Sequence, residues 1–157
     1  MALDGISAGF IGGYTNYEGV NEGQISLSGI KSVGIYGKNG ARVINTGGIT
    51  VGDNSAGVFV KDGGEIKNTG IITIGANSQG LALKNGVGID NSNTISSTQG
   101  KAIGIYSENI SGNVESSGII NLSGDKSIGI YSKGTAAQIN NTGSIIIGPS
   151  SDEKIGR

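Results

Sequence analysis

The sequence predicts an all-β fold, a right-handed parallel β-helix (β-solenoid) of about six three-stranded coils, each 23–25 residues long. Three observations predict it. Two markers recur in step along the chain, the segments between them alternate apolar and polar residues with period 2, and the composition suits a narrow core.

The first marker is "SAGFI" at Gly9, "SVGIY" at Gly34, "SAGVF" at Gly57, "SQGLA" at Gly80, "AIGIY" at Gly104 and "SIGIY" at Gly129, at spacings of 25, 23, 23, 24 and 25. The second follows each in turn: "NEG" ending at Gly23, "NTG" at Gly47 and Gly70, "NSN" at Asn93, "SSG" at Gly118 and "NTG" at Gly143. A repeated corner explains the Asn-Thr-Gly phrase: Gly supplies backbone freedom, Asn an interior ladder, and the following Ile-x-Val the next strand.

Each unit carries three short alternating segments. In the first, Ile25/Leu27, Ile49/Val51, Ile72/Ile74, Ile120/Leu122 and Ile145/Ile147 flank Ser26, Thr50, Thr73, Asn121 and Ile146, so the apolar positions are expected inside. In the second, Val33/Ile35, Ala56/Val58, Ile103/Ile105 and Ile128/Ile130 are expected inside, alternating with Gly34, Gly57, Gly104 and Gly129. In the third, Val43, Ile66, Ile89, Val114 and Ile139 stand two residues before Asn45, Asn68, Asn91, Ser116 and Asn141, which puts the Asn column inside as well.

Stacking such triangular coils at about 4.8 Å pairs every strand with its copies above and below and gives a rod on the order of 30 Å long. The hexapeptide spacing of left-handed helices is missing, and parallel crossovers are right-handed by strong preference. A leucine-rich repeat has a similar period, but Leu is scarce and no segment has a 3.6-residue apolar stripe. Residues 1–157 are expected to form a single solenoid segment, uncapped and cut from a longer repeat protein. Leu3 lies six residues before Gly9, as Val51 does before Gly57, and Ile155-Gly156 repeats the "IG" of Ile128-Gly129.

Composition narrows the function. With 31 glycines, two Phe, no Trp and one Met, only a thin core lined by Ile, Val and Leu can be filled. Eleven basic and 12 acidic residues leave a net charge of −1, so no nucleic-acid partner is expected. Without Cys or His, disulfides, thiolate nucleophiles, imidazole bases and the usual zinc ligands are excluded. No cofactor or metal site is expected: "GDNSAG" lacks calcium-repeat spacing, and no Gly-Lys-Ser/Thr follows the Gly-rich stretches. There is no run of 18 apolar residues, and "MALDGISAGF" lacks signal-peptide segments.

Two column sets invite a functional reading. Asn45, Asn68, Asn91 and Asn141 are read as a structural ladder of stacked buried amides. Tyr36, Phe59, Ala82, Tyr106 and Tyr131 share outward parity in the second segment, and Lys38, Lys61, Lys84, Glu108 and Lys133 stand two residues further on. The candidate ligand face is Tyr36, Lys38, Phe59, Lys61, Tyr106, Tyr131 and Lys133, where rings stack on sugars and lysines hold an acidic group such as a sialic acid or sulfate. The plainer reading is that the rings cover the rod's flank and the lysines solvate a corner. Lys67, Asp90 and Glu115 form an outward charged column expected to support coil register.

The stretches "NTGGITVGDNSAGVFVKDGGEIKNTG" and "SIGIYSKGTAAQINNTGSIIIG" resemble the β-helical passenger repeats of large type V autotransporter adhesins, particularly those of fusobacteria. The resemblance implies a non-enzymatic stalk segment of a secreted bacterial surface protein. It would be extracellular, anchored to the outer membrane through a translocator barrel absent from this chain, and used in attachment. It also implies a host or bacterial cell-surface protein or glycan as partner. The alternative is a segment of a β-helical polysaccharide lyase or tailspike-type glycan-degrading enzyme, which requires acids paired across one cleft. Asp53, Asp62, Asp90 and Glu115 are instead scattered over corners and faces.

Overall fold

The computed structural model describes residues 2–3, 6–12, 17–135 and 138–149. The strands, in chain order, are β1 (Ala2–Leu3), β2 (Ile6–Gly12), β3 (Glu18–Asn21), β4 (Gln24–Leu27), β5 (Ser32–Lys38), β6 (Arg42–Asn45), β7 (Gly48–Val51), β8 (Ala56–Lys61), β9 (Glu65–Asn68) and β10 (Ile71–Ile74). They continue as β11 (Gln79–Lys84), β12 (Gly88–Asn91), β13 (Ile95–Ser97), β14 (Ile103–Glu108), β15 (Val114–Ser116), β16 (Ile119–Leu122), β17 (Ile128–Lys133), β18 (Ile139–Asn141) and β19 (Ser144–Ile147). Among the described residues there is no helix.

The strands form three sheets in the orders β4-β7-β10-β13-β16-β19, β2-β5-β8-β11-β14-β17 and β3-β6-β9-β12-β15-β18. Neighbours within these orders are parallel and pair residues one coil apart: Ile49 with Ile72, Tyr36 with Phe59, Asn45 with Asn68. The chain is therefore a parallel β-solenoid, with five full coils from β3 to β17, β2 on one side and β18 and β19 on the other.

Apolar columns from all three faces fill the interior, one of them from each face being the most completely enclosed. Ile49, Ile72, Ile95 and Ile120 come from the first sheet, Ile35, Val58, Leu81 and Ile105 from the second, and Val43, Ile66, Ile89 and Val114 from the third. All are 2% exposed or less. Only β-branched and Leu side chains are needed because each face contributes just two or three positions to a narrow triangle.

The alternation expected in the second segment fails at its glycine. Gly57, Gly80 and Gly104 face the core. A Cβ on Gly57 would lie 2.7 Å from Ile72 Cγ2, and one on Gly80 or Gly104 would lie 2.5 Å from Cγ2 of Ile95 or Ile120. The residue before the glycine turns outward in the other coils, where Val33, Gln79 and Ile103 are half-buried and Ile128 is 42% exposed, while Ala56, before Gly57, is buried as expected. Two successive inward positions fit because the missing side chain makes room for the isoleucine of the first sheet.

The Asn-Thr-Gly glycine also has a different reason from the one expected. Among the described glycines only Gly40, Gly63 and Gly134 have positive φ, so Gly47, Gly70 and Gly143 are not there for left-handed backbone. A Cβ on Gly70 would collide with the carbonyl of Gly47 and lie 2.7 Å from Asn45 Nδ2. These glycines let corners of successive coils stack at strand spacing. Left-handed residues sit at the corners flanking the second sheet: Lys31, Asn54, Asn77, Lys101 and Lys126 before it, and Asn39, Asp62, Asn85 and Asn109 after it, with φ between 50° and 62°.

One end differs from expectation. Ala2–Leu3 does not continue the Val51 column; it pairs antiparallel with β2, Ala2 opposite Ser7 and Leu3 opposite Ile6. This short strand lies along the β2 edge of the second sheet. Ile155-Gly156 lies outside the described residues.

Candidate functional site

The interior Asn column is a continuous amide ladder over four coils. Asn21 Nδ2 donates to Asn45 Oδ1, Asn45 Nδ2 to Asn68 Oδ1 and Asn68 Nδ2 to Asn91 Oδ1, each at 2.8 Å. The second N–H of each amide goes to the carbonyl two residues on, at Gly23, Gly47, Gly70 and Asn93. Asn45, Asn68 and Asn91 are 0% exposed, and their burial is tolerable because the amides are paired this way. Asn141 stands apart: it is exposed and donates to Gly143 O at 3.1 Å. Ser116 interrupts the column with an Oγ that has no partner. Asn21 belongs to the ladder, and its position in "NEG" was the signal that could have identified it.

A second, serine ladder runs at the corner before the second sheet. Ser55 Oγ accepts from Ser32 N at 2.9 Å and Ser78 Oγ from Ser55 N at 3.0 Å. The serine of the first marker thus caps the coil beside it, a role that strand parity does not reveal.

On the outer surface of the second sheet, Tyr36, Phe59, Ala82, Tyr106 and Tyr131 are register partners. The structure resolves them into two pairs. The rings of Tyr36 and Phe59 lie 5.7 Å apart and tilted by 46°; those of Tyr106 and Tyr131 lie 5.7 Å apart and stacked within 17°. Ala82, fully buried, separates the pairs.

The charged column beside them is likewise divided. Lys38, Lys61 and Lys84 are direct register neighbours, an arrangement of like charges that is unfavourable by itself. Lys61 Nζ lies 3.8 Å from Asp62, and Lys84 Nζ lies 3.4 Å from Glu108 and 5.8 Å from the centre of the Tyr106 ring. Glu108 also accepts a 2.5 Å hydrogen bond from Tyr106 Oη and lies 3.7 Å from Lys133 Nζ. Its carboxyl is held below the ordinary range, first by the Tyr106 hydrogen bond, with Lys84 and Lys133 adding to it. The Tyr106 phenol is pushed up to about 12, first by that hydrogen bond and then by burial. Tyr106, Lys133 and Lys84 are thus tied together by one carboxylate, whereas Tyr36, Lys38 and Phe59 are not part of that cluster.

The third sheet carries its ion pairs on a different column from the one expected. Lys67, Asp90 and Glu115 are in register. The salt bridges, however, run from Arg42 to Glu18 (2.9 Å) and to Glu65 (2.5 Å). Arg42 stands between the two acids in the strand ladder, which lets one guanidinium reach both neighbours. Glu115 Oε1 accepts instead from Asn113 Nδ2 at 3.1 Å.

Parity reasoning hides Gln79, because strict alternation places its column in the interior, whereas the structure leaves it half-buried. A glutamine in such a column was the available sign that the assignment breaks at the glycine. Comparison of the chain with protein-family models, curated proteins and solved structures returns no match. No helix among the described residues is long and apolar enough to cross a membrane.

Proposed function

We propose that this chain is a non-enzymatic stalk segment of a secreted bacterial surface adhesin, an autotransporter passenger held at the outer membrane that projects a binding region used in cell attachment. One observation carries the reading: among the described residues the coils stack without insertions, with no link between successive strands longer than five residues. A glycan-degrading β-helix needs longer loops to gather acids around a cleft. Here Glu18 and Glu65 engage Arg42, and Glu108 engages Tyr106 and two lysines. The resemblance of the Asn-Thr-Gly and Gly-Ile-Tyr elements to passenger repeats supports the surface assignment.

Antibodies raised against the folded chain test it. They are expected to label intact cells of the source organism, and removal of the protein is expected to lower attachment. Labelling only after permeabilisation would overturn the surface assignment. Hydrolysis or elimination of an acidic polysaccharide by the purified chain would overturn the non-enzymatic one.

A further inference from the structure

The break in the aromatic column at Ala82 has its own geometry. Phe59 and Tyr106 are two coils apart, about 10 Å at strand spacing, and only a methyl group stands between their positions. Beside this break a groove of about 460 Å³ is lined from β5, β8, β11 and β14 and the corners before them; Ala82 itself is fully buried and is not part of the lining. Phe59 and Tyr106 line it together with Lys31, Lys84, Asn54 and Gln79, and no carboxylate is among its lining residues.

From this the geometry points to a seat for one carboxylate-bearing pyranose of an acidic glycan. The inference deepens the attachment role proposed above and supplies that role's ligand class. Each part of the lining matches one part of such a sugar. The two aromatic side chains offer apolar surface to the C–H face of the ring. The Gln79 amide has no side-chain partner among the described residues, and Asn54 uses its Oδ1 to accept from Asn77 Nδ2 at 2.7 Å, which leaves its amide N–H groups for sugar hydroxyls. The ammonium groups of Lys31 and Lys84 supply charge complementarity to the carboxylate. Lys84 is already oriented by Glu108 and the Tyr106 ring, so less side-chain freedom is lost when it engages the ligand.

An acidic peptide fits less well. Extended peptides bind by adding to an open strand edge, and β8, β11 and β14 each have a strand paired on both sides.

The test is titration of the folded chain with a hexuronate oligosaccharide and with sialyllactose, each beside its neutral counterpart, the carboxyl-reduced oligosaccharide and lactose. At least one acidic sugar is expected to bind about tenfold more tightly than its counterpart and to weaken with added salt, and the member that binds identifies the source of the carboxylate. Lys31→Gln and Gln79→Ala, both away from the core, are expected to lower affinity severalfold without changing the melting temperature appreciably. Failure of the folded wild type to bind either acidic sugar, equal affinity for the neutral ones, unchanged affinity in both polar variants, or tighter binding of poly-glutamate would each overturn the proposal. Antibody labelling of intact cells is read separately, so a stalk without this seat is distinguishable from a protein that is not at the surface.

Discussion

Asn91 and Ser116 are register partners on β12 and β15, and between them the interior amide ladder stops. Asn91 Oδ1 accepts from Asn68, but the shorter side chain of Ser116 leaves its own Oγ buried, at 1% exposure for the residue, without a partner. Ser116→Asn is expected to extend the ladder toward Asn141 and to raise unfolding free energy by about 1 kcal/mol. Urea denaturation measures it; a lower midpoint would mean the coil has no room for the amide.

The opposite substitution in the middle of the ladder is expected to be severe. Asn68→Ala removes the acceptor of Asn45 and the donor to Asn91, both fully buried. Two stranded amide groups predict a loss of about 2–4 kcal/mol. A loss no larger than that of a surface substitution would contradict the ladder's structural role.

Gly57 tests the inward-facing glycine. Its added methyl in Gly57→Ala would meet Ile72 Cγ2 at 2.7 Å and the Gly80 carbonyl at 2.6 Å, and overpacking of that kind costs about 1–3 kcal/mol. Because Ile72 occupies the space, shortening it should offset part of the damage. A double-mutant cycle of Gly57→Ala with Ile72→Ala is therefore expected to show favourable coupling, and strictly additive losses would argue against the contact.

Lys101 is a long L-residue held at φ 58° on an exposed corner. Left-handed backbone costs such a residue about 1 kcal/mol relative to glycine. Lys101→Gly is expected to raise the thermal midpoint despite the greater freedom of the unfolded chain, and a lower midpoint would show that the entropy term dominates.

Tyr106 and Glu108 predict the pH behaviour of the outer face. Glu108 has its folded-state pKa depressed, so its contribution is present above the ordinary carboxylate range, near 4.3, and is lost as pH falls through the lower folded value. Tyr106 has its value raised, so its contribution is complete below about 10 and lost as pH rises toward about 12. Phenolate absorbance is expected to show one tyrosine ionising near pH 12, returning toward the ordinary value in Glu108→Gln. An unchanged titration in that variant would remove the carboxylate as the cause.

Much of the architecture was legible because a solenoid writes its geometry into the chain once per coil. Asn45, Asn68 and Asn91 could be placed inside from two-residue parity with Val43, Ile66 and Ile89, and the hydrogen bonds between them follow from strand spacing. Parity failed at Gly34 and its copies because it presumes uninterrupted alternation, whereas a residue without a side chain can face a packed isoleucine. Gln79 was missed as an outward group for the same reason.

The sequence by itself determined the coil length, the three faces, the in-register columns and, away from the residue before each inward glycine, the core side chains, since each is set by periodicity and side-chain size. Only the tertiary structure decided how neighbours in a column divide their contacts. It split the aromatic column into pairs about Ala82, tied Lys84, Lys133 and Tyr106 to Glu108, placed the Arg42 clamp beside the Lys67 column, and turned Ala2–Leu3 antiparallel to β2. The physical reason is that register brings many side chains to strand spacing at once, while rotamers, reach and charge choose which of them meet.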